Sequence, residues 1–391
     1  MTSYPSTVRC LVPAILIPLA LVACGRASAP PDPAAAPPFQ EPSIDPSGAL
    51  APPPAPARAP AGFLKGQLHL HSNASGDSDT PPDQVRAWYA ARGYDFIIFT
   101  DHNRITALAD APEGMLVLPG VELTQNLRSC EPPPLPGNAC LLHVNALFVA
   151  GPADGPLLPA QDRWTTPRRD DIYGRAVDVA RSLGGIAQLN HPNFHRAADI
   201  EILMTLARRG LTLVEIANEA VDSANEGGAG VPSTESLWDA ALTRGARVFG
   251  TATDDAHHYN DAAAVRARGE IAYTGDRGFV MVRAERTAAS IRAAVARGDF
   301  YSSTGVLLEQ LQMGPDEIAI DVRPSNAAPI TIEVIGTGGA VLTRAAGPRL
   351  RFDPRKAPAG YVRVRVTAAG RMAWTQPLWT TSAPWPAEHR P

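Results

Sequence analysis

The stretch GQLHLHSNASGDSDT, residues 66–80, places His69 and His71 two positions apart in an apolar run, with Asp77 six residues behind. In a β-strand, residues i and i+2 project from the same face, about 6.6 Å apart, so both imidazoles can reach one cation. The leucines beside them would face the other side and pack. On its own, a His-x-His pair is equally compatible with a solvated strand face.

Other imidazoles and carboxylates lie in or directly after later apolar runs, as in DFIIFTDH, MLVLPGVE and GIAQLNH. Eight of the nine histidines fall between residues 69 and 258. In a (β/α) barrel the carboxyl ends of the strands form one rim, where active sites are built. A multinuclear metal centre explains this pattern better than chance does. The residues concerned are His102, Glu122, His143, His191, Asp255 and His257.

Apolar runs and amphipathic segments alternate from Phe63 to about residue 300, which predicts a parallel sheet or a barrel. After residue 305 the strand-like segments are separated by Gly, Pro and Ser turns and no helix is indicated. We therefore expect a barrel over 63–305, a small antiparallel, β-sandwich-like domain over 306–381 and a tail at 382–391. The expected strands are 67–71, 95–100, 115–122, 141–149, 186–190, 213–217, 248–252 and 279–282, and the expected helices are 82–92, 167–183, 198–209, 234–244 and 287–297.

The first 24 residues are typical of a lipoprotein signal peptide. Arg9 precedes an apolar run at 11–22 that is too short to span a bilayer. The run ends in LVAC, which resembles a lipobox and would make Cys24 the lipidated residue; cleavage at residues 27–29 (ASA) is the alternative. An Ala- and Pro-rich segment at 25–62 predicts a disordered linker. We expect an exported protein, held by its lipid on the membrane in the periplasm or outer membrane of a bacterium.

The cysteines agree with this location, and the charge indicates which partners to expect. Cys130 and Cys140 flank the Pro-rich segment EPPPLPGNA and could form a disulfide in an oxidising compartment, the alternative being two unpaired thiols. The formal net charge is −4 and no basic run is present, so a nucleic-acid partner is not indicated.

The segments HLHSNASGD, FTDHN, GVE, HVNALF, NHP and DAH occur in this order and resemble the PHP (polymerase and histidinol phosphatase) family of metal-dependent phosphoesterases. The likeness covers about residues 63–305 and is greatest to the CehA/McbA-like subgroup, which the later segment TAASIRAAVARGDFYSSTG also resembles. It implies a distorted (β/α)7, TIM-like barrel that holds two or three divalent metal ions. Imidazole and carboxylate ligands together suit Zn, Mn or Fe.

The resemblance also implies which residues hold each ion, with Glu122 shared between two of them. The implied sets are His69, His71, Glu122 and Asp255 for the first ion, Asp77, His102 and His257 for the second, and Glu122, His143 and His191 for the third.

Some residues near the predicted rim are candidates for other roles. Protonation of a leaving group requires a further acid, for which Asp254, His195 and His258 are candidates, with support of a ligand as the alternative role. Arg104 and Arg196 could bind an anionic group of the substrate. Glu215 and Asn218, in VEIAN, are interpreted as cavity wall or support for the ligands.

A hydroxide held between two cations is a nucleophile at neutral pH, and the cations neutralise charge that develops on a phosphoryl or acyl group. The expected function is therefore that of an exported PHP-type metal-dependent hydrolase that cleaves a phosphoester of a small molecule. One alternative is a carboxylester or carbamate hydrolase on the same centre, to which the subgroup resemblance points. Another is a non-catalytic metal- or glycan-binding surface lipoprotein, which the complete ligand set disfavours.

Overall fold

The structure is a computed structural model that describes residues 59–108, 114–150, 157–158, 167–324 and 329–380. The predicted signal peptide, the lipidation site at Cys24, residues 25–58 of the linker and the C-terminal tail lie outside these residues. Within the described ranges, no helix combines the length and the hydropathy needed to cross a membrane.

Up to residue 303 most strands alternate with helices, and each expected element has a counterpart. The first strand differs from the expected range 67–71: it ends at Gln67, so His69 and His71 follow the strand and do not lie in it. The short helix α5, with the sequence AAAVRA, was not predicted because six residues are too few to show helical periodicity. The order is β1 (Leu64–Gln67), α1 (Pro82–Ala90), β2 (Phe96–Phe99), β3 (Leu116–Leu127), β4 (Cys140–Leu147), α2 (Arg169–Ser182), β5 (Ile186–Leu189), α3 (Ile200–Arg208), β6 (Leu213–Asn218), α4 (Thr234–Thr243), β7 (Phe249–Thr253), α5 (Ala262–Ala267), β8 (Phe279–Val282), α6 (Ala288–Arg297) and β9 (Phe300–Ser303).

Three of the helices begin at residues whose side chains cap them. Asp199, Ser233 and Thr287 each accept a hydrogen bond from the backbone N–H three residues further on, at the start of α3, α4 and α6. Such caps satisfy N–H groups that have no partner within the helix. These caps mark where α3, α4 and α6 begin.

Strands β1 to β7 pair in sequence order and form the part of the sheet that carries the site. Two hydrogen bonds join the segments that follow β1 and β7: His71 N–H donates to the Ala256 carbonyl (2.9 Å), and Asp255 N–H donates to the His69 carbonyl (3.0 Å). These bonds close the seven strands into a ring at the end where the carboxyl ends of most of them lie.

The arrangement is an α/β fold, as expected, and its large mixed sheet does not fit a clean (β/α)7 barrel; the expectation was of a distorted one. Fourteen strands form one mixed sheet, and the described residues form six α-helices. Strand β4 runs antiparallel to both β3 and β5, whereas β1–β3 and β5–β7 are parallel. The reason is that β3 and β4 are joined by a hairpin loop without a helix, and such a connection produces antiparallel neighbours.

The expected antiparallel strands after residue 305 are present. Strands β10, β11 and β14 form a three-stranded sheet, whereas β12, β13, β15, β16 and β17 continue the large sheet through pairing of β16 with β9. The proposed boundary at residue 305 remains a prediction. The strands are β10 (Leu308–Met313), β11 (Ile318–Val322), β12 (Ile330–Gly336), β13 (Ala340–Ala346), β14 (Arg349–Phe352), β15 (Tyr361–Ala368), β16 (Arg371–Thr375) and β17 (Leu378–Trp379).

A buried ion pair fastens the C-terminal strands to α4. Arg363 of β15 is fully buried and donates from Nε and Nη2 to the two carboxylate oxygens of Asp239, at 2.8 and 2.6 Å. Glu235, one turn earlier in α4, accepts a further bond from Arg363 Nη2 at 2.6 Å. Charges taken out of water are tolerated only when they are paired and hydrogen-bonded, as Nε and Nη2 of Arg363 are here.

Candidate metal centre

The side chains implied as metal ligands converge at the end of the ring where β1 and β7 are joined. Their donor atoms form three overlapping groups, and within each group the atoms lie within 4.8 Å of one another. These groups resemble the three ligand sets implied by the sequence, except that His71 also joins the second and Asp255 is absent. The groups are His69, His71 and Glu122; His71, Asp77, His102 and His257; and Glu122, His143 and His191.

Asp255 nevertheless lies beside the first group. Its Oδ1 is 3.2 Å from His69 Nε2 and 3.1 Å from His71 Nε2. Its Oδ2 is 3.9 Å from His191 Nε2, in the third group. The structure thus brings all nine candidate ligands together, while the ligand role of each remains a prediction.

Glu122 lies at the centre of the cluster and is almost fully buried. One carboxylate oxygen is 3.0 Å from His143 Nδ1 and 3.5 Å from His69 Nε2, and the other is 3.0 Å from His102 Nδ1 and 3.4 Å from His71 Nε2. Burial favours the neutral acid, but the imidazoles of His102, His143 and His69 hold the pKa of Glu122 well below its usual value. This position suits a carboxylate that bridges two cations.

Three polar atoms of the cluster residues are buried and make no hydrogen bond: His191 Nδ1 and, in the first group, His69 Nε2 and Glu122 Oε2. A buried polar atom without a partner costs about 1–3 kcal/mol, so such atoms are rare unless something else binds them. A divalent cation would satisfy His69 Nε2 and Glu122 Oε2 at once. The mixture of imidazole and carboxylate donors suits Zn, Mn or Fe, so the residues present fit a metal centre.

Two imidazoles are oriented by hydrogen bonds of their Nδ1 atoms, which leaves Nε2 facing the cluster. His69 Nδ1 lies 2.7 Å from Glu215 Oε1, and His257 Nδ1 lies 2.9 Å from the Asp255 carbonyl. Both partners are acceptors only, so each neutral imidazole carries its hydrogen on Nδ1. The Nε2 lone pair is then free for a metal, an arrangement commonly found at histidine metal ligands.

Glu215 and Asn218, in VEIAN, both contact candidate ligands. Glu215 is fully buried and accepts hydrogen bonds from Thr253 (2.7 Å), Gln188 (3.2 Å) and the backbone N–H of His191 (2.6 Å). Asn218 Nδ2 lies 2.9 Å from Glu215 and 3.2 Å from Asp255 Oδ2. The network therefore links the carboxyl ends of β5, β6 and β7.

Three residues at the rim have left-handed backbone conformations: Asn103 (φ 52°), His191 (φ 24°) and Asp255 (φ 51°). Such conformations cost on the order of 1–3 kcal/mol in residues other than glycine and are concentrated at functional sites. At Asn103 the side chain compensates, since it bonds both the N–H and the carbonyl of Thr124, each at 3.0 Å. The rim is thus held in strained conformations by specific hydrogen bonds.

Asp77 completes the more exposed side of the cluster, where it lies 2.9 Å from His102 Nε2 and 3.3 Å from His257 Nε2. Burial disfavours the imidazolium, but Glu122 and Asp77 outweigh this effect and raise the pKa of His102 to about 10. Burial and the neighbouring His257 lower the pKa of His71 to about 3. In the metal-free protein these adjacent imidazoles therefore differ in charge.

The cluster forms one wall of a cavity of about 230 Å³. The remaining wall includes Leu141, Phe194, Asp222 and Tyr273, and the Tyr273 hydroxyl donates to Asp222 Oδ2 at 2.8 Å. No lysine or arginine is found among the described residues that line it. Asp222 and Tyr273 were missed because they belong to loops at a distance in sequence from any metal-ligand motif.

The candidate acids Asp254, His195 and His258 are not among the residues that line this cavity, and their role in the reaction stays a prediction. Asp254 is fully buried and accepts from the N–H groups of Arg277 and Gly278, both at 2.8 Å. Its side chain faces away from the cluster, whereas that of Asp255, whose backbone is left-handed (φ 51°), faces the cluster.

The two remaining acids are positioned by other contacts. His258 Nδ1 accepts the N–H of Tyr273 at 3.1 Å, beside the cavity wall. His195 lines a neighbouring cavity, together with Arg196. Arg104 is exposed and lines neither of these cavities, so its predicted contact with substrate has no support here.

Cys130 and Cys140 form the disulfide, which closes the loop between β3 and β4. Arg169 is buried beneath this loop. Its Nε donates to Cys130 Sγ at 3.3 Å, and its Nη1 donates to the Arg196 carbonyl at 2.8 Å. The guanidinium thus connects the disulfide to the loop that follows β5.

No protein-family model matches the chain, and no curated protein matches it. Among solved structures, the chain is similar to a two-domain protein from Bacteroides vulgatus that contains a predicted PHP-like metal-dependent phosphoesterase. The identity is 18% and the TM-score is 0.44, over 85% of this chain and 100% of the other. The likeness is distant, so the functional argument depends on the cluster itself.

Proposed function

We propose that the protein is a metal-dependent hydrolase that cleaves a phosphoester of a small molecule. The observation that carries the proposal is the buried cluster of imidazoles and carboxylates around Glu122, in which His69 Nε2 and Glu122 Oε2 have no hydrogen-bond partner. The ions would be held by the three residue sets that the sequence implies. When bound, two or three divalent ions would activate water and neutralise negative charge on the oxygens of the scissile group.

The chain's own residues orient the donors and shape the cavity. Glu215 and the Asp255 carbonyl keep the Nε2 atoms of His69 and His257 free of hydrogen in the neutral state. The Tyr273 hydroxyl, which donates to Asp222 Oδ2 at 2.8 Å, lies on the cavity wall and does not belong to a predicted ligand.

A second candidate substrate class is an uncharged carboxylester or carbamate. The lining favours it in one respect, because the described residues around the cavity include Leu141, Phe194 and Ala220 but no arginine or lysine. A phosphomonoester would depend entirely on metal ions to offset its charge. A phosphodiester, with one negative charge, and an uncharged ester both require less compensation.

We further propose that the hydrolase is exported and anchored by a lipid on Cys24. This part rests on the apolar run at 11–22 and the LVAC sequence that ends it. Metabolic labelling with a palmitate analogue tests it: incorporation should be lost in Cys24→Ser and retained in Cys10→Ser. Labelling of the Cys24→Ser protein would contradict the anchor.

Metal analysis of the purified protein, followed by a substrate panel, tests the activity. The panel contains phosphomonoesters, phosphodiesters, aryl esters and aryl carbamates, each assayed before and after removal of metal by a chelator. We expect metal-dependent hydrolysis of at least one phosphoester. Hydrolysis of only the esters or carbamates would favour the second candidate, and metal binding without any hydrolysis would indicate a binding protein.

A further inference from the structure

A second cavity, of about 290 Å³, adjoins the metal cavity. Phe194 and Asp222 line both cavities, so the two share a wall. The second cavity also contacts His195, Arg196 and Asn138. It therefore brings an arginine next to a metal cavity whose described lining includes neither arginine nor lysine.

The turn that carries His195 and Arg196 is strained and tightly held. Both residues have φ 51°, in the left-handed region, within the short 3₁₀ turn Phe194–Arg196. Asn193, just before them, donates from Nδ2 to the carbonyls of Ala224 and Pro232, at 3.0 and 2.9 Å. Two consecutive non-glycine residues in this conformation persist only because the surroundings impose it, a situation typical of ligand-binding segments.

The disulfide loop holds the same turn from the other side. The Ala139 N–H, next to Cys140, donates to His195 Nδ1 at 3.0 Å, and buried Arg169 donates to the Arg196 carbonyl. Since His195 Nδ1 accepts this bond, the ring hydrogen is on Nε2. His195 thus offers an N–H donor in a fixed orientation.

The arginine beside it has no competing partner among the residues that the structure describes. Arg196 is exposed, and its guanidinium makes no hydrogen bond or ion pair with any residue in the described part of the chain. Asp222, on the shared wall, already accepts the Tyr273 hydroxyl. A guanidinium with free donors and a neighbouring imidazole N–H match the geometry and charge of a carboxylate or phosphate.

We propose that the second cavity is a substrate subsite for an anionic group, which Arg196 and His195 bind on the part of the substrate away from the scissile bond. The inference rests on the proposed function, because that function places the scissile bond in the adjoining metal cavity. It narrows the substrate class to esters that carry a second acidic group.

Binding of aryl phosphonates, which cannot be hydrolysed at phosphorus, tests the subsite. Phenylphosphonate is compared with analogues that carry a carboxylate at the 3-position, at the 4-position or on a second ring, by calorimetry with the metal-loaded protein. We expect at least one carboxylate to lower Kd about tenfold. That gain should disappear in Arg196→Gln and persist in Arg128→Gln, an exposed arginine that lines neither cavity.

The outcomes separate the subsite from the proposed activity. The subsite is overturned if the carboxylate still lowers Kd about tenfold in Arg196→Gln. It is also overturned if no carboxylate lowers Kd in the native protein. Binding with the expected gain, but without hydrolysis of any ester in the panel, supports the subsite and contradicts the hydrolase. A thermal unfolding curve of Arg196→Gln that matches the native protein excludes a folding defect as the cause.

Discussion

Glu215 Oε1 lies 2.7 Å from His69 Nδ1, and both side chains are fully buried. The carboxylate can only accept, so neutral His69 directs its Nε2 lone pair toward Glu122 and Asp255. The same carboxylate accepts the N–H of His191, and thereby positions a second candidate ligand. The geometry of the centre therefore depends on a residue that is not itself a predicted ligand.

Replacing Glu215 by Gln tests this dependence. The amide has one acceptor oxygen instead of two and cannot satisfy all the donors that face Glu215. We expect metal affinity to fall about 10- to 100-fold, as is typical when the partner of a metal-bound histidine is lost. Competition with a chromophoric chelator measures the affinity. Glu219→Gln, just past the end of the same strand and away from the metal cavity, is the control and should bind metal normally.

Much of the centre was predictable from sequence because its candidate ligands lie in or just after short apolar runs. His69, His71, His102, His191 and Asp255 each follow the end of a strand by a few residues. The approximate positions of strand ends are visible in the sequence as changes in hydropathy. Parallel strands then bring such residues to one edge without any information about long-range contacts.

The remaining features depend on long-range contacts that leave no local pattern. Tyr273 and Asp222 meet across the cavity, although 51 positions separate them. The direction of β4 depends on the hairpin that precedes it, and its apolar sequence is equally compatible with a parallel strand. The side on which Asp254 lies could not be predicted either, because the strand end was known only to within a few residues.

Asp255→Asn tests the predicted ligand at the end of β7. Asp255 has φ 51°, a conformation that Asn adopts nearly as well as Asp but Ala does not. The substitution therefore removes the charge without adding backbone strain. We expect hydrolysis to fall by at least about a thousandfold and metal content to decrease, while the thermal unfolding midpoint of the metal-free protein stays within a few degrees. Full activity in this variant would contradict the ligand assignment.

Metal binding should release protons at neutral pH. In the metal-free protein Glu122 and Asp77 outweigh burial and raise the pKa of His102 to about 10, so a metal that binds His102 at pH 7 displaces a proton. The apparent affinity for the metal should therefore rise with pH until the pH approaches that pKa. His102 alone contributes up to about tenfold per pH unit.

Calorimetry at pH 7 in buffers of different ionisation enthalpy measures the number of protons released. His258→Gln, which changes a histidine outside the metal cavity, should leave that number unchanged. An affinity that does not vary between pH 6 and 9 would contradict the assignment of His102.

The buried pair of Arg363 and Asp239 should contribute strongly to stability. Asp239→Asn would leave the fully buried guanidinium with Glu235 as its remaining acidic partner. We expect the free energy of unfolding to fall by about 3 kcal/mol, the range for breaking a buried ion pair. Asp321→Asn, which removes a more exposed pair with Arg351, should cost less than about 1 kcal/mol. Urea unfolding compares the two variants, and equal effects would refute the distinction.

Asp254 and Asp255 are adjacent in the chain, yet their carboxylates face opposite sides and should have separable roles. Asp254 accepts the backbone N–H groups of Asp276, Arg277 and Gly278, each at 2.8 Å, and burial raises its pKa to about 6. In Asp254→Asn, an amide NH2 would face these N–H donors, so we expect a loss of about 3 kcal/mol in unfolding free energy. Because Asp254 does not line the cavity, kcat of the folded variant should fall less than about tenfold. A folded Asp254→Asn protein with native stability and no activity would instead identify Asp254 as an acid in the reaction.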